Sequence, residues 1–174
     1  MDLQPTLQGK LLQLRPLAPG DFEDLLSAAS DPLIWEQHPE NTRYRRDVFE
    51  RFFATAMASR GAFAILDCAT SQVAGSSRYY EYDPQAKSVF IGYTFLRRTH
   101  WGGSYNAELK HLMLTHAFQY VDRVLFHVGE TNFRSQKALS KIGAQPFGKV
   151  QFPEDQGRIS LVFKIDRKDF LRPR

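Results

Sequence analysis

Residues 92–110 combine a strand, a glycine-containing loop and the start of a helix, and they offer the clearest chemistry in the chain. Gly102 and Gly103 allow a ligand to approach the backbone closely. The helix predicted to begin at Tyr105 presents unpaired N–H groups and the positive end of its dipole. Arg97 and Arg98 add positive charge. This pattern indicates a phosphate-binding loop, although an ordinary loop and helix cap also fits it.

A second polar segment, residues 130–143, follows a short apolar strand. Asn132 stands where a helix is expected to begin, and Ser135 lies within its first turn. An asparagine N-cap and a small packed serine explain these residues without any ligand. A side chain facing a ligand at the helix start explains them equally, so the segment alone leaves both interpretations open.

Hydrophobic periodicity and turn residues predict the elements that position these two segments. The strands are expected at 11–17, 63–67, 73–80, 89–96, 124–128, 145–152 and 158–165, and the helices at 22–29, 47–59, 105–120 and 132–142. A loop with Pro153 and Gly157 separates the last two strands. The order is β-α-α-β-β-β-α-β-α-β-β, in one mixed α/β domain spanning 1–174. The crossover helix makes strands 89–96 and 124–128 a parallel pair, and the short connections elsewhere favour antiparallel pairing.

Composition excludes several classes of protein. The chain has 174 residues, 43% hydrophobic, with a net charge of +4. No apolar run approaches the roughly 18 residues of a membrane helix, and no secretory signal is recognisable, so neither a membrane protein nor a secreted one is expected. The basic residues are dispersed, which argues against direct nucleic-acid binding. The single cysteine, Cys68, is expected as a buried strand residue and favours a cytoplasmic protein.

Both polar segments together resemble the RimJ/RimL-like branch of the GNAT superfamily of N-acetyltransferases. The resemblance covers almost the whole chain, because the order of strands and helices also matches. It is carried by Gly92-Tyr93, Trp101-Gly102, Asn106, Glu108-Leu109-Lys110, Asn132-x-Arg134-Ser135, Ala138-Leu139 and Ile142-Gly143-Ala144. Ser104 departs from the family pattern, since it replaces a glycine of the cofactor loop.

The resemblance implies an acetyl-CoA-dependent acyltransferase without a metal, with a mixed, mostly antiparallel sheet splayed at the cofactor site. It implies that an amine attacks the thioester directly in a ternary complex. Ser135 is the residue this branch places near the cofactor sulfur, where it would protonate the thiolate. The cofactor-binding residues implied are Phe95, Leu96, Arg97, Gly102, Gly103, Ser104, Tyr105, Asn106, Asn132 and Ser135.

The general base and the acceptor are less constrained by the sequence. Glu130, at the end of a strand, is a candidate base, with Glu81 and Glu108 as alternatives to it. Trp35 and Tyr80 are expected to line the acceptor cleft. An α-amino group, with a pKa near ~7.7, loses its proton more readily than a lysine near ~10.4, which favours a protein or peptide N-terminus.

Two other functions stay open at this point. One is a small-molecule N-acetyltransferase acting on an antibiotic, a polyamine or an amino acid, and the other is a non-catalytic acyl-CoA-binding module. The departure at Ser104 motivates the second. A homodimer is compatible with the resemblance, and the sequence does not decide the oligomeric state.

Overall fold

A computed structural model describes residues 1–151 and 158–171, whose strands form an eight-stranded sheet in the order β1-β2-β3-β4-β5-β6-β8-β7. The strands are β1 (Leu7–Gln8), β2 (Leu12–Pro16), β3 (Ala62–Asp67), β4 (Val73–Asp83), β5 (Ser88–Leu96), β6 (Arg123–Gly129), β7 (Gln145–Gln151) and β8 (Ile159–Asp166). The α-helices are α1 (Phe22–Ala29), α2 (Arg46–Ser59), α3 (Tyr105–Ala117), α4 (Phe133–Lys141) and α5 (Arg167–Phe170). Short 3-10 helices lie at Pro19–Asp21, Pro32–Ile34 and Arg98–His100.

The sheet is antiparallel at every pairing except that of β5 with β6. Helix α3 crosses over between these two strands, which is why they run parallel. Their register covers only Ser88–Phe90 against Arg123–Leu125, and beyond it the strands are no longer paired. The predicted mixed, mostly antiparallel sheet is confirmed, and the unpaired stretch leaves a gap beside β5.

A bulge in β5 accompanies the gap. Ser76 pairs with Phe95 and Arg78 with Gly92, so two residues of β5 stand opposite one residue of β4. The extra residue is accommodated at Tyr93, which has a φ of 53°. A bulge of this kind bends its strand and increases the local twist, so it carries β5 away from the line of β6.

Two apolar clusters lie on opposite faces of the sheet, because neighbouring strand residues point in opposite directions. Phe63 and Ile65 of β3 belong to the cluster that packs against α3, with Leu109 and Met113. Ala62 and Ala64 of the same strand belong to the second cluster. That cluster lies under α1 and α2 and contains Leu25, Trp35, Phe49, Phe52 and Phe95. The sheet is therefore fixed on both faces, with α3 set against the gap.

Several element bounds differ from the sequence predictions. Strand β1 and helix α5 were not predicted, β4 runs three residues further than expected, and α3 ends at Ala117 instead of residue 120. Phe152, Pro153 and Gly157, which were assigned to the end of a strand and a loop, lie outside the described residues. Among the described residues there is no helix with the length and hydrophobicity that a bilayer crossing requires.

The expectation for Cys68 was wrong. It is exposed, and it lies in the turn that follows β3 instead of inside a strand. Asp67 ends the strand because its Oδ1 accepts hydrogen bonds from the backbone N–H groups of Ala69 and Thr70, which closes the turn at 2.8 and 3.0 Å. Such local bonds from an aspartate compete with the strand ladder.

Candidate active site

A cavity of about 640 Å³ opens where β5 and β6 diverge. It is formed by the loop before α2, the last part of β4, the bulged half of β5, the end of β6, the start of β8, and the first two turns of α3 and of α4. The residues that line it include Trp35, His38, Glu40, Arg43, Tyr80, Glu81, Gly92, Tyr93, Thr94, Asn106, Lys110, His127, Asn132, Ser135 and Arg158. The two polar segments singled out in the sequence thus meet in one cavity.

The start of α3 supplies backbone donors at one end of this cavity. The first N–H to bond within the helix is that of Glu108, which donates to the Ser104 carbonyl at 2.8 Å. The amides of the preceding helical residues have no acceptor in the helix, and they lie at the positive end of its dipole. Gly102 has a φ of +77°, which is easily adopted only by glycine. Free amides at the positive end of a helix dipole are the groups that favour an anionic ligand.

A contact between a histidine and an aspartate anchors that loop to the end of β3. His100 Nε2 lies 3.0 Å from Asp67 Oδ2, and both side chains are largely buried. The His100 ring also contacts the edge of Tyr105 at 4.6 Å between centroids. Burial opposes ionisation of Asp67, but its hydrogen bonds to His100 and to two turn amides hold its pKa below the ordinary value. The loop conformation is therefore fixed by a contact made outside the loop.

Asn132 caps α4 from inside the cavity. Its Oδ1 accepts from the backbone N–H of Ser135 at 3.1 Å, and its side chain is buried. The bond occupies the carboxamide oxygen and leaves the NH₂ group as the donor. Ser135 follows in the first turn and also lines the cavity. The N-cap and the ligand-facing position are therefore compatible roles for one residue.

Trp101 and Arg134 join the two helix starts. Trp101 Nε1 donates to the Leu96 carbonyl at 3.0 Å, and the Arg134 guanidinium lies 4.3 Å from the centre of its ring. Arg134 also donates to the carbonyl of Ile34 at 2.7 Å. Arg134 therefore connects the loop before α3 with α4 and with the segment before α2, both of which contribute residues to the cavity.

A chain of polar groups crosses from α3 to the bulge. Lys110 Nζ donates to Thr94 Oγ1 at 2.8 Å, and Thr94 Oγ1 lies 2.8 Å from Ser77 Oγ. Lys110 is buried, and this burial lowers its pKa to about 7. A lysine in such surroundings changes its charge near neutral pH instead of near ~10.4. It is a titratable group on the wall of the cavity.

A group of packed aromatic side chains forms the opposite side of the cavity. Tyr80 Oη lies 3.2 Å from His127 Nδ1, and the His127 ring lies 4.3 Å from that of Phe90. Burial raises the pKa of the Tyr80 phenol and lowers that of His127. A Cβ atom at Gly92 would lie 2.8 Å from Tyr80 Cε1, so the absence of a side chain at Gly92 lets the ring cross β5.

A family model described as Acetyltransferase (GNAT) domain matches residues 12–145. This chain belongs to the GNAT acetyltransferase family. The match covers the divergent strands, α3 and α4, and with them every residue that lines the cavity except Arg158 and Ser160. No curated protein matches the chain.

Solved structures share the GNAT fold over nearly the full length. A GCN5-related N-acetyltransferase from Brucella melitensis has a TM-score of 0.85 and 20% identity, covering 96% of this chain and 80% of its own. A spermidine N-acetyltransferase from Vibrio cholerae, solved with CoA and spermine, has a TM-score of 0.71 and 16% identity, covering 94% and 100%. A nucleotide-linked sugar GNAT has a TM-score of 0.69 and 15% identity, covering 96% and 93%. Likeness at these identities concerns the fold alone.

The residues expected to bind cofactor are placed unevenly around the cavity of this GNAT protein. Asn106, Asn132 and Ser135 line it, and the loop residues 102–105 lead directly to Asn106. The other predicted cofactor-binding residues are not among the lining residues, namely Phe95, Leu96, Arg97, Gly102, Gly103, Ser104 and Tyr105. Arg97 instead donates to the Val73 carbonyl at 2.8 Å, and Phe95 is buried in the α1–α2 cluster.

The carboxylates considered as bases lie in different surroundings. Glu130 is exposed, is paired with Lys149 at 2.9 Å, and is not a lining residue. Glu108 accepts hydrogen bonds from three backbone N–H groups, those of Lys10, Leu11 and Leu12, at 2.8 to 2.9 Å. It therefore closes the β1–β2 turn. Glu81 is exposed at the end of β4 and does line the cavity.

Both residues expected on the acceptor side line the cavity. Tyr80 does so from the aromatic group described above. Trp35 is buried, donates from Nε1 to the Ala29 carbonyl at 2.8 Å and packs on Phe95, so it is a rigid wall. His127 and Thr94 also line the cavity but were not predicted from the sequence. The only sequence signal for them is their position in the alternation of side chains along β6 and β5.

The residues present fit the cosubstrate that the GNAT family uses, acetyl-CoA. Free amides at a helix start suit a pyrophosphate, and the Asn132 NH₂ group suits an amide carbonyl of a pantetheine arm. No cluster of three or more His, Cys, Asp or Glu in residues 1–151 and 158–171 is arranged to hold a metal ion. The free amides and the Asn132 NH₂ group thus match an organic ligand that carries anionic groups.

Proposed function

We propose that this GNAT acetyltransferase acetylates the α-amino group of a protein or peptide N-terminus, with acetyl-CoA held in the gap between β5 and β6. The observation that carries the proposal is the single cavity that contains both an anion-binding helix start and an aromatic, carboxylate-bearing wall. The resemblance to the RimJ/RimL-like branch supports the choice of acceptor. A cytoplasmic location is consistent with these substrates.

The cosubstrate supplies an activated acetyl group, and the chain supplies binding and orientation. In this proposal Gly102–Asn106 hold the pyrophosphate and Asn132 holds the pantetheine arm. Trp101 and Arg134 keep the two helix starts at a fixed separation. Positioning two reactants in attack geometry accounts for roughly 7 kcal/mol or more of the barrier in favourable cases. Much of the catalysis is then a property of the rigid framework.

The acceptor must lose a proton before it attacks. Glu81 lies on the cavity wall and pairs with an incoming ammonium group, while the Tyr80 and Tyr93 rings attract it. His127 lines the cavity and is the proposed proton acceptor; burial lowers the pKa of its imidazole, which keeps the ring unprotonated before the transfer although it weakens the base. Glu130, paired with Lys149 outside the lining, is less well placed for this role.

Ser135 is proposed as the proton donor to the leaving thiolate. Its backbone N–H is fixed by Asn132, which sets the position of its side chain at the cavity wall. A hydroxyl that donates to a developing anion acts mainly in the transition state. The role of the residue is then visible in kcat and not in cosubstrate affinity.

A small-molecule amine is the second candidate acceptor. The observation that favours it is the presence of two carboxylates, Glu40 and Glu81, on the cavity wall, since these suit a polyamine as well as one ammonium group. The structurally similar protein from Vibrio cholerae is a spermidine N-acetyltransferase, so this fold can accommodate a polyamine acceptor.

Peptides that differ only in their amines separate these functions. Three versions of one peptide are incubated with acetyl-CoA: a free N-terminus with no lysine, a blocked N-terminus with one lysine, and both amines blocked. Thiol release and product mass are recorded, with spermidine as a parallel acceptor. We expect the first peptide to react fastest. Acetylation of lysine alone or spermidine alone would refute the preference for the N-terminus, and binding without turnover would support an acyl-CoA-binding module.

A further inference from the structure

Two arginines lie side by side next to the acceptor wall. Arg43 belongs to the turn before α2, and Arg78 belongs to β4. Their guanidinium carbons lie 4.7 and 5.8 Å from the centre of the Phe52 ring, and that of Arg78 lies 4.0 Å from the centre of the Tyr93 ring. Arg78 is only 5% exposed. Two positive charges thus contact the same Phe52 ring in a region with little access to water.

Their hydrogen-bonding capacity is largely unused by the described residues. Nε of Arg43 and both Nε and Nη2 of Arg78 are buried without a partner. Burial lowers the pKa of both groups, that of Arg43 to about 10. Three other arginines, by contrast, are paired with carboxylates, in Arg15–Asp21, Arg46–Glu23 and Arg123–Asp166. A buried cation with unpaired donors is destabilising unless an anion reaches it.

The neighbours of Arg43 do not supply that anion. Its Nη1 lies 3.2 Å from His38 Nε2, and burial together with Arg43 lowers the pKa of His38 to about 3, which leaves the imidazole neutral. Glu40 raises the pKa of Arg43 by its charge, but its Oε1 accepts from Thr42 Oγ1 at 2.6 Å and forms no ion pair with Arg43 among the described residues. Arg43 lines the cavity, and its charge is not matched by an ion pair among the described residues, so an anionic ligand in the cavity can balance it.

The pair borders the cavity that receives the amine. Arg43 lines it, and so does Tyr93, whose ring covers Arg78. Arg158 lines the same cavity and is fixed by donation to the Pro39 carbonyl at 2.9 Å. An acceptor held here would have carboxylates for its ammonium group and guanidinium groups for an anion. Guanidinium groups bind carboxylates and phosphates in planar, charge-assisted pairs.

We propose that the acceptor is an amine that also carries a carboxylate or a phosphate, and that Arg43 binds this anionic group on the cavity wall, with the positive charge of Arg78 behind the Tyr93 ring. The inference rests on the proposed acetyl transfer for the amine, and it extends that function to the remainder of the substrate. It places acidic or phosphorylated N-termini and free amino acids within the substrate class. It places polyamines, which carry no anion, outside it.

Matched acceptor pairs test the proposal. The pairs are an α-amino acid and its carboxamide, peptides beginning with Asp and with Asn, and peptides beginning with phosphoserine and with serine. We expect kcat/KM to be at least about tenfold higher for the anionic member of one or more pairs, and the pair that responds identifies the source of the anion. Equal rates within all three pairs, or a preference for spermidine, would overturn the proposal.

Arginine variants show whether the preference comes from this place. Arg43→Gln should reduce the anionic preference, taken as the ratio of the two kcat/KM values within a pair, to within about twofold. Arg46→Gln, which removes an exposed arginine paired with Glu23, should keep the preference. An equal loss for both members of a pair would contradict the assignment. Calorimetric titration with acetyl-CoA checks that each variant folds.

One measurement separates this inference from the proposed function. Calorimetric binding of an N-acetylated amino acid in the presence of CoA requires the anion site but no turnover. Binding by the wild type that is lost in Arg43→Gln supports the anion site even if no amine is acetylated. Binding that is unchanged in Arg43→Gln counts against the site even if acetyl transfer is observed.

Discussion

Lys110 Nζ donates to Thr94 Oγ1 at 2.8 Å, and this bond ties α3 to the bulge that opens the gap beside β5. The lysine is buried, 5.8 Å from the centre of the Phe126 ring. The bond thus fixes the distance between the helix that presents the anion-binding loop and the strand that borders the acceptor wall. It also places a group with a low pKa in the cavity.

The first prediction concerns the pH dependence of stability. The pKa of Lys110 is about 7 in the folded protein and near ~10.4 in the unfolded chain. Between these values the unfolded state binds more protons, so the free energy of unfolding rises with pH and falls as pH drops toward 7. We expect the wild type to gain stability over Lys110→Met by up to roughly 1.4 kcal/mol per pH unit in this window.

Urea denaturation at several pH values measures that difference. Titrations of other groups cancel between the two proteins, which isolates the lysine. Lys137→Met removes an exposed lysine of α4 and serves as the control. Its difference from the wild type in free energy of unfolding should not change with pH. A flat difference for Lys110→Met as well would show that the lysine is not desolvated.

The second prediction concerns Gly92. Alanine there would place Cβ 2.8 Å from Tyr80 Cε1. The Tyr80 ring is held by Phe90 and Tyr93 at 5.3 and 5.2 Å, so the substitution must displace the acceptor wall. We expect kcat/KM for the amine to fall roughly tenfold or more while acetyl-CoA affinity changes little, since a small misplacement of reactants is costly.

The control for Gly92→Ala is Gly20→Ala, where the added Cβ meets nothing within 4 Å. That variant should keep wild-type kinetics. If Gly92→Ala also turned over normally, Tyr80 would not belong to the acceptor wall.

The third prediction separates a structural carboxylate from a catalytic one. Glu108 accepts from three backbone N–H groups of the β1–β2 turn. Glutamine has one acceptor oxygen and no charge, so Glu108→Gln should lower the free energy of unfolding by about 2 kcal/mol. Its kcat should stay near that of the wild type. Glu50→Gln, an exposed change on α2, should stay within about 0.5 kcal/mol.

Denaturant unfolding and initial rates check both halves of this prediction. A stable Glu108→Gln protein with a kcat reduced a hundredfold would reverse the assignment and make Glu108 a base. A destabilised protein with normal turnover supports the structural role.

The fourth prediction concerns Ser135. Ser135→Ala keeps the backbone bond to Asn132 and removes only the hydroxyl, so acetyl-CoA affinity should not change. Loss of a general acid typically reduces kcat about 10²-fold. Ser140→Ala, on the exposed end of α4, is the matched control. Unchanged kcat in Ser135→Ala would mean that water protonates the thiolate.

Much of the fold could be predicted from periodicity. The strand predicted at 89–96, followed by a helix and a β-branched strand, indicated the parallel pair, because a crossover helix joins parallel strands. The bulge could not be predicted, since the residue with the left-handed φ is Tyr93 and not a glycine. The two-residue strand β1 is too short for any pattern, and its turn is closed by Glu108 from a distant helix.

The site was predictable only where a local motif carries it. Asn132 and Ser135 were found because a helix cap has a sequence signature. Tyr79 and Tyr80 are neighbours in β4, so the alternation of side chains along a strand places one of the two rings in the core. The structure shows that it is Tyr79, which is fully buried. Lys110 and His127 depend on long-range packing. Their chemistry comes from burial, and the sequence around them does not reveal it.

Steady-state kinetics with both substrates varied tests the central claim most directly. Acetyl-CoA and a free N-terminal peptide beginning with Asp are varied against each other, and released thiol and acetylated peptide are quantified together. Direct transfer in a ternary complex predicts intersecting double-reciprocal lines, one thiol for each acetylated N-terminus, and no acetylated protein. Parallel lines with an acetyl group on Cys68, or binding of acetyl-CoA without acetylation of any amine, would contradict it.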